Sequence, residues 1–391
     1  MNDAIEFASP DERQWREFDA LATRSYGHRV EDITALREHA VTRVALRDGA
    51  VVAGGLGILV PQYFGGRPVP SACLAAGHVA PEDRGERLAE LVIADRVRVL
   101  QDQGAVISSV WTKASAYGRH LGWEAVTPVL AWSVATDELK VSFSPGDLDI
   151  AHGLTDAARA LHESLASQWH GPLQRPTWWW DWKQAKSDLT SYTFTEPGGA
   201  PVGLLSLATV RHPRHGMVLQ VHDFWAAHPD AVRTMFAFLG RYSTRAETID
   251  FRRGALPPYP ALLHNLHRSR LTAQSWHPWM IRILDVPRAL SLRGWPAHLD
   301  AAVTIALTPD KEASGPEQFT VAFDHGEAHV EPATGPAGVT MTRRQLAAWY
   351  AGSYRSTASA SLTGVRADSQ QALGTLITAA GDTEPWLPDH F

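Results

Sequence analysis

One cysteine, Cys73, is all that the chain carries in 391 residues, which rules out an intrachain disulfide. No apolar stretch approaches the roughly 18 residues that a membrane-crossing helix needs, so no membrane partner is expected. The N-terminal MNDAIEFASPDERQW has neither the basic region nor the apolar core of a secretory signal. With the lone thiol, this points to the cytoplasm. Excess positive charge is missing too: 36 Lys and Arg stand against 42 Asp and Glu, a formal net charge of −6. A polyanion finds no footprint on such a chain, and nucleic acid is not expected as a partner. Neither a Gly-x-Ser-x-Gly nucleophile elbow nor a P-loop occurs. His212 and His215, in the turn HPRHG, have no third ligand at a sensible spacing, so no metal is expected.

Tryptophan, by contrast, is plentiful, with 15 in the chain. Large rings serve where a flat or cationic ligand must be enclosed, although most tryptophans fill cores. The length suits two or three domains of about 100 to 150 residues each, and the pattern divides accordingly. Over 1–140, residues 4–8 read as a strand, and SPDERQWREFDALATRSYG as a helix with Ser9 as its cap and Trp15, Phe18 and Leu21 on its apolar face. VTRVALRDGAVVAGGLGIL is a hairpin turning at Asp48-Gly49, and PVPSACLAAGHVAP is a further strand. A helix over about 84–103 carries Leu88, Leu91, Val92, Val99 and Leu100 at apolar spacing. AVISSVW follows as a strand, SAYGRHLGW as a short helix and TPVLAWSVA as the unit's final strand. This is the element order of the GNAT fold.

Residues 141–285 repeat the order more loosely, without a glycine at the helix entrance after HGMVLQVHDFWAA to let a pyrophosphate approach. That half reads as a degenerate duplicate with no cofactor of its own. A third unit, 286–391, combines helices (PRALSLRGW, RRQLAAWYAGS, SQQALGTLITA) with strands (DAAVTIALT, QFTVAFDHGEAHVEP), an α+β pattern.

Three segments carry candidate chemistry. In VAPEDRGERLAELVI a helix start with free N–H groups, and Arg84 beside them, suits a diphosphate. Tyr117, in AYGRHLGW, offers a phenol able to protonate a departing thiolate. In WWWDW, helical spacing puts Trp178 and Trp182 on one face with Trp179 beside them. With Trp169, Trp225 and Trp386 they form either the wall of a pocket for an aromatic amine or an anchor between the first two units.

In order, VAPEDR, YGRHLGW, RPTWWWDW, IRILDVPRALSLRGW, SYRSTASASLTGVRADSQ and a terminal aromatic residue resemble the enhanced-intracellular-survival (Eis) family of GNAT N-acetyltransferases across essentially the whole chain. The resemblance implies an α/β (α+β) protein of two GNAT-like regions followed by a sterol-carrier-protein-like domain, assembled as a homo-hexamer. It implies acetyl-CoA as co-substrate and a small-molecule amine as acceptor. Tyr117 is implied as general acid and the α-carboxylate of Phe391 as general base, an ionised group at neutral pH that needs help from position or a relay water. Cofactor contacts are implied for the backbone of Gly77 and Val79, for Arg84, Gly85, Glu86, Arg87, Leu88 and Ala89, and for the stretch from Thr112 to Ser115.

Two departures from the family pattern matter. Arg87 replaces a glycine of the phosphate-binding pattern, and either crowds the pyrophosphate or swings out and pairs with it. His390 replaces an acidic residue, which argues against a polycationic aminoglycoside acceptor, tilts the expectation toward an aromatic or natural-product amine, and puts a near-neutral side chain where a base is wanted. His78 is expected to face away from the cofactor. The competing reading is a scaffold that has lost acetyl-CoA use, its groove plugged by Arg87 or His78, and binds or converts a hydrophobic small molecule in the Trp pocket.

Overall fold

The computed structural model describes residues 5–27, 32–186, 188–212, 216–258, 265–268, 270–308 and 317–391. His215 therefore lies outside the described residues. The first unit runs β1 (Glu6–Ala8), α1 (Glu12–Tyr26), α2 (Asp32–Leu36), β2 (Val41–Arg47), β3 (Ala50–Leu59), β4 (Gln62–Phe64), β5 (Arg67–Val69), β6 (Ser71–Val79), α3 (Leu88–Asp102), β7 (Ile107–Trp111), α4 (Ser115–His120) and β8 (Glu124–Thr127). Trp15, Phe18 and Leu21 are buried on α1, as their spacing predicts. The cap, however, is Asp11 rather than Ser9. Its carboxylate accepts from Gln14 N at 2.8 Å while Gln14 Oε1 accepts from Asp11 N at 2.9 Å, a reciprocal pair that satisfies two donors at once. The Ser9 hydroxyl instead accepts from Arg43.

The second stretch comprises β9 (Leu130–Ala135), α5 (Thr136–Ser142), β10 (Asp149–His152), α6 (Asp156–Ala166), α7 (Thr177–Gln184), β11 (Leu189–Thr195), β12 (Pro201–His212), β13 (Gly216–Ala226), α8 (Pro229–Gly240), β14 (Thr248–Phe251), β15 (Leu271–Ser275) and β16 (Trp279–Ile283). Two seven-stranded sheets result, in the orders β1-β2-β3-β6-β7-β16-β8 and β10-β11-β12-β13-β14-β9-β15. Position by position they match, and in each the sixth strand comes from the other half of the chain. β9 leaves the first unit directly after β8 to lie antiparallel between β14 and β15, and β16 returns from the second to lie antiparallel between β7 and β8. The strand expected to close the first unit thus belongs to the second sheet. Strand alternation alone carries no record of which sheet a strand joins.

The third unit adds α9 (Val286–Leu292), β17 (Ala301–Thr308), β18 (Glu317–Asp324), β19 (Glu327–Pro332), β20 (Val339–Thr342), α10 (Arg343–Tyr350), α11 (Thr357–Leu362), β21 (Arg366–Ala367) and α12 (Gln370–Ala380) around a five-stranded sheet. Its core is continuous with the first sheet: Val303, Ile305 and Trp349 belong to one apolar cluster with Ile107, Trp279 and Ile281. Burial of this kind stabilises by about 25 cal/mol per Å² of apolar surface, so the exchanged strand and the third unit hold each other in place.

Candidate active site

β6 and β7 run parallel with partners Ser71↔Ile107 through Leu74↔Val110. Beyond Leu74, β6 continues to Val79 paired with β3 alone, across a register shift between Gly54 and Leu56, and Ala76 adopts a positive φ of 47°. The two strands therefore part at Leu74, because a bulged strand bends and twists away from its neighbour. Ala80 N donates to Val52 O at 2.8 Å, so alternate residues point to β3, and Gly77 and Val79 present their backbone to the open edge. Both carbonyls are engaged from the last turn of α1, Gly77 O by the Tyr26 hydroxyl at 2.8 Å and Val79 O by the Ser25 hydroxyl at 3.2 Å.

The chain then turns through Arg84–Arg87 before α3. The helix starts at Leu88, four residues later than the apolar pattern suggests, because Gly85 (φ 98°) and Arg87 (φ 62°) are left-handed. Only the first of these suits its residue. A side chain at the Arg87 position is strained, which is the physical reason for a glycine there. The Arg87 guanidinium turns outward onto Glu90, at 2.7 and 2.9 Å, with its side chain 75% exposed. No side chain caps α3, and its first N–H groups are left for water or a ligand. Arg47 fastens the loop by pairing with Asp83 and Glu86; Arg84 is exposed, its guanidinium 3.4 Å from Ser25 O. Leu88 is buried, Ala89 half-buried, and Leu91, expected on the apolar face, is exposed.

Tyr117 stands on α4 beside this loop, 38% exposed, with His120 stacked on it at 6.4 Å. Partial burial and the Glu90 carboxylate raise its pKa against the opposing pull of Arg87, so the phenol keeps its proton at neutral pH. Gly118 lets α4 sit down on the exchanged strand, since a Cβ there would lie 2.9 Å from Met280 Sδ. Thr112 Oγ1 accepts from Ala114 N at 3.0 Å, shaping the turn that leads to Ser115 and α4. His78 stacks on Phe18 at 4.6 Å with its Nδ1 2.9 Å from Ala76 O, and burial pushes it down to about 4.

The C-terminal tail is fixed. Trp386 N donates to His170 O at 2.8 Å, the Trp386 indole to Gly254 O, and the ring packs on Trp225 (4.6 Å) and Trp169 (5.2 Å). Asp389 is wholly buried: its carboxylate accepts from Arg175 Nε at 2.7 Å and Leu173 N at 3.0 Å, and its carbonyl from the Trp111 indole at 3.0 Å. Arg175 in turn holds Asp223 at 2.6 Å, which also takes Lys183 at 2.7 Å. His390 stacks on Trp111, the last residue of β7, at 5.4 Å. Burial, with Arg253 and Arg252 beside it, drives its pKa well below the usual imidazole value. A nitrogen so reluctant to take a proton is a poor base, contrary to the role its type suggests. Phe391 packs on the cluster that contains Ala75, Ala76, Trp178, Trp179 and Trp182.

The tryptophans do not form one wall. Trp179 is buried in the first unit's core with Trp15 and Phe18, flanked by Trp178 (5.5 Å) and Trp182 (5.0 Å), which stay half-buried against His39 and Lys186 respectively. Trp169, Trp225 and Trp386 pack with Trp180 in a separate cluster. α7 is therefore the anchor between the halves, and Trp386 belongs to that anchor. Trp180, passed over in the sequence, is the bridging residue; lying two positions from Trp178 and Trp182, it had to face the other way on a helix. Arg96 was also missed. It sits at a buried position of α3, four residues after Val92, and donates to Ala75 O at 3.1 Å where the strands part.

Comparison with known proteins agrees with this architecture. Residues 171–283 match the family model described as acetyltransferase (GNAT) domain, and residues 286–388 the sterol carrier protein domain. An uncharacterized N-acetyltransferase of Streptomyces avermitilis is 26% identical over 356 residues, 84% of this chain and 82% of its own. A GCN5-related N-acetyltransferase from Anabaena variabilis superposes with a TM-score of 0.89 at 22% identity, over 99% of this chain and 100% of its own. Eis1 from Mycobacterium abscessus superposes with a TM-score of 0.78 at 17% identity, again over 99% and 100%. Residues 171–283 thus carry a GNAT acetyltransferase domain and residues 286–388 a sterol-carrier-type domain, in a chain similar over most of its length to an N-acetyltransferase. The likeness to Eis1 is one of fold, in keeping with the resemblance of the ordered sequence segments.

Proposed function

We propose that the protein transfers the acetyl group of acetyl-CoA to the amine of a small aromatic or hydrophobic molecule, in the cleft where β6 parts from β7. The carrying observation is convergence at that point: the open edge at Gly77 and Val79, the uncapped start of α3 with Arg87 turned away, Tyr117 on α4, and the chain end on the cluster that includes Ala75, Ala76, Trp178 and Trp182. The pyrophosphate lies on the N–H groups from Gly85 to Ala89. The pantetheine arm lies along β6, competing with Tyr26 for Gly77 O. The neutral amine attacks the thioester carbonyl, forming the C–N bond as the C–S bond breaks. Tyr117 gives its proton to the departing thiolate, and the Phe391 carboxylate accepts the amine proton directly or through water. Trp178 and Trp182 supply apolar faces for the acceptor, and His390 in place of an acidic residue, with Asp389 already paired to Arg175, lessens the pull on a polycation. A homo-hexamer, carried over from the family resemblance, belongs to the same reading.

The test is release of coenzyme A thiol against a panel of arylalkylamines. Tyr117→Phe should lower turnover about 10- to 10³-fold, the range of general-acid catalysis, and deletion of Phe391 should abolish turnover while leaving acetyl-CoA binding intact. Full activity in both variants would remove these groups from the reaction.

A further inference from the structure

Away from the cleft, a cavity of about 300 Å³ opens between α6 and α7. Arg175 and His162 line it from below. The Arg175 side chain is fully buried and spends its Nε and one Nη on Asp389 and Asp223, yet Nη1 has no hydrogen-bond partner among the described residues. His162 is 1% exposed, its ring edge-on to Trp180 and Trp225, and its Nε2 has no hydrogen-bond partner among the described residues either. Buried polar atoms left empty are rare and costly, and three on residues lining one cavity, Arg175 Nη1, His162 Nε2 and Arg159 Nε, mark a place where a ligand's polar group belongs. Thr177 and Trp180 add a hydroxyl and an aromatic wall, the Trp180 ring lying 4.5 Å from the Arg175 guanidinium carbon.

Charge selects among acceptors. Arg175 and Lys183 are balanced by Asp223 and Asp389. At the mouth, Arg159 meets exposed Asp156 and Asp181, and exposed Glu163 stands close by. A phosphate would be repelled on the way in, whereas a carboxylate that brings its own cation suits both ends. The size is at the small end for ligand sites.

We propose that this cavity binds a small zwitterion of the α-amino-acid class, its carboxylate on Arg175 Nη1 and His162 Nε2 and its ammonium between Asp156 and Glu163. The site lies apart from the acetyl-transfer cleft and is joined to it through Arg175, which also clamps Asp389 in the tail. The test is saturation-transfer NMR on the full-length protein with leucine, 4-methylpentanoate (leucine without its amine), 3-methylbutylamine (leucine without its carboxylate) and inorganic phosphate. Leucine should bind at least about tenfold more tightly than either half, the value of one charge-assisted contact, and phosphate should not compete. Ala160→Trp, at an exposed lining position, should close the mouth and abolish the leucine signal; Ala160→Lys should weaken it by setting a cation beside the leucine ammonium. Leucine binding unchanged in both variants, phosphate binding as tight as leucine, or no leucine binding by folded protein would each overturn the proposal.

Discussion

Asp389→Asn separates what the tail does for stability from what it does for turnover. The carboxylate is wholly buried and accepts from two donors, Arg175 Nε at 2.7 Å and Leu173 N at 3.0 Å. An amide of the same shape has one oxygen and turns an N–H₂ toward the other donor. The loss is one buried charge-assisted hydrogen bond, about 1.5–3 kcal/mol, with Arg175 still held by Asp223. The tail end should then shift, and misplacement by about 1 Å at a reacting group costs on the order of 10²-fold in rate. Urea unfolding should give a free energy lower by that amount, thiol release should fall about 10²-fold per folded molecule, and acetyl-CoA affinity should stay within about twofold. Asp223→Asn is the control, since it breaks the same ion-pair chain without touching the tail, and it should cost stability with a smaller loss of rate. If Asp389→Asn lowers stability but leaves turnover per folded molecule within about threefold, the clamp does not place the carboxylate proposed as the base.

Two further outcomes follow from the fold. His78 is pushed down to about 4 from an ordinary 6.5 by burial against Phe18, so as pH falls below 6.5 the unfolded chain takes up a proton that the folded one refuses. The stability present above pH 6.5 is lost progressively down to about pH 4, at about 1.4 kcal/mol per pH unit. His78→Phe should therefore shrink the difference between urea unfolding at pH 7 and pH 5 by about 2 kcal/mol, and an unchanged difference would return His78 to a hydrated state. Residues 1–140 expressed alone lack β16, which pairs on both edges within the first sheet. They should show no cooperative thermal transition, and a cooperatively unfolding fragment would contradict the strand exchange.

Local chemistry was legible in the sequence where a residue's type and its spacing agreed. The apolar face of α1, the α3 stripe of Leu88, Val92 and Leu100, the hairpins and the α+β third unit all follow from period and turn residues. What escaped is non-local. Nothing along TPVLAWSVA says that it crosses to the other sheet, since both sheets offer the same pleated, half-buried surface. The Ser9 cap, with Glu12 three residues on, lost to Asp11 with Gln14, and the Ser9 hydroxyl is taken instead by Arg43 from β2, a partner no local spacing shows. The six tryptophans look like one wall until α7 exists as a helix, when Trp180 must face away from Trp178 and Trp182. The Arg175 chain joins positions 175, 183, 223 and 389, which no spacing connects. Arg87 lay between these extremes: its lost glycine was visible, but the outward turn to Glu90 depends on the left-handed backbone at that position.

The central claim is that the parted strands and the loop from Arg84 to Ala89 still accept the acetyl donor with Arg87 in place. Calorimetric titration of the full-length protein with acetyl-CoA, and with desulfo-CoA as a non-reactive control, tests it directly. Saturable binding of both ligands at one site per chain, with a dissociation constant on the order of micromolar and about −8 kcal/mol of binding free energy, is the predicted result. No heat of binding for either, from protein with a cooperative unfolding transition, would contradict it.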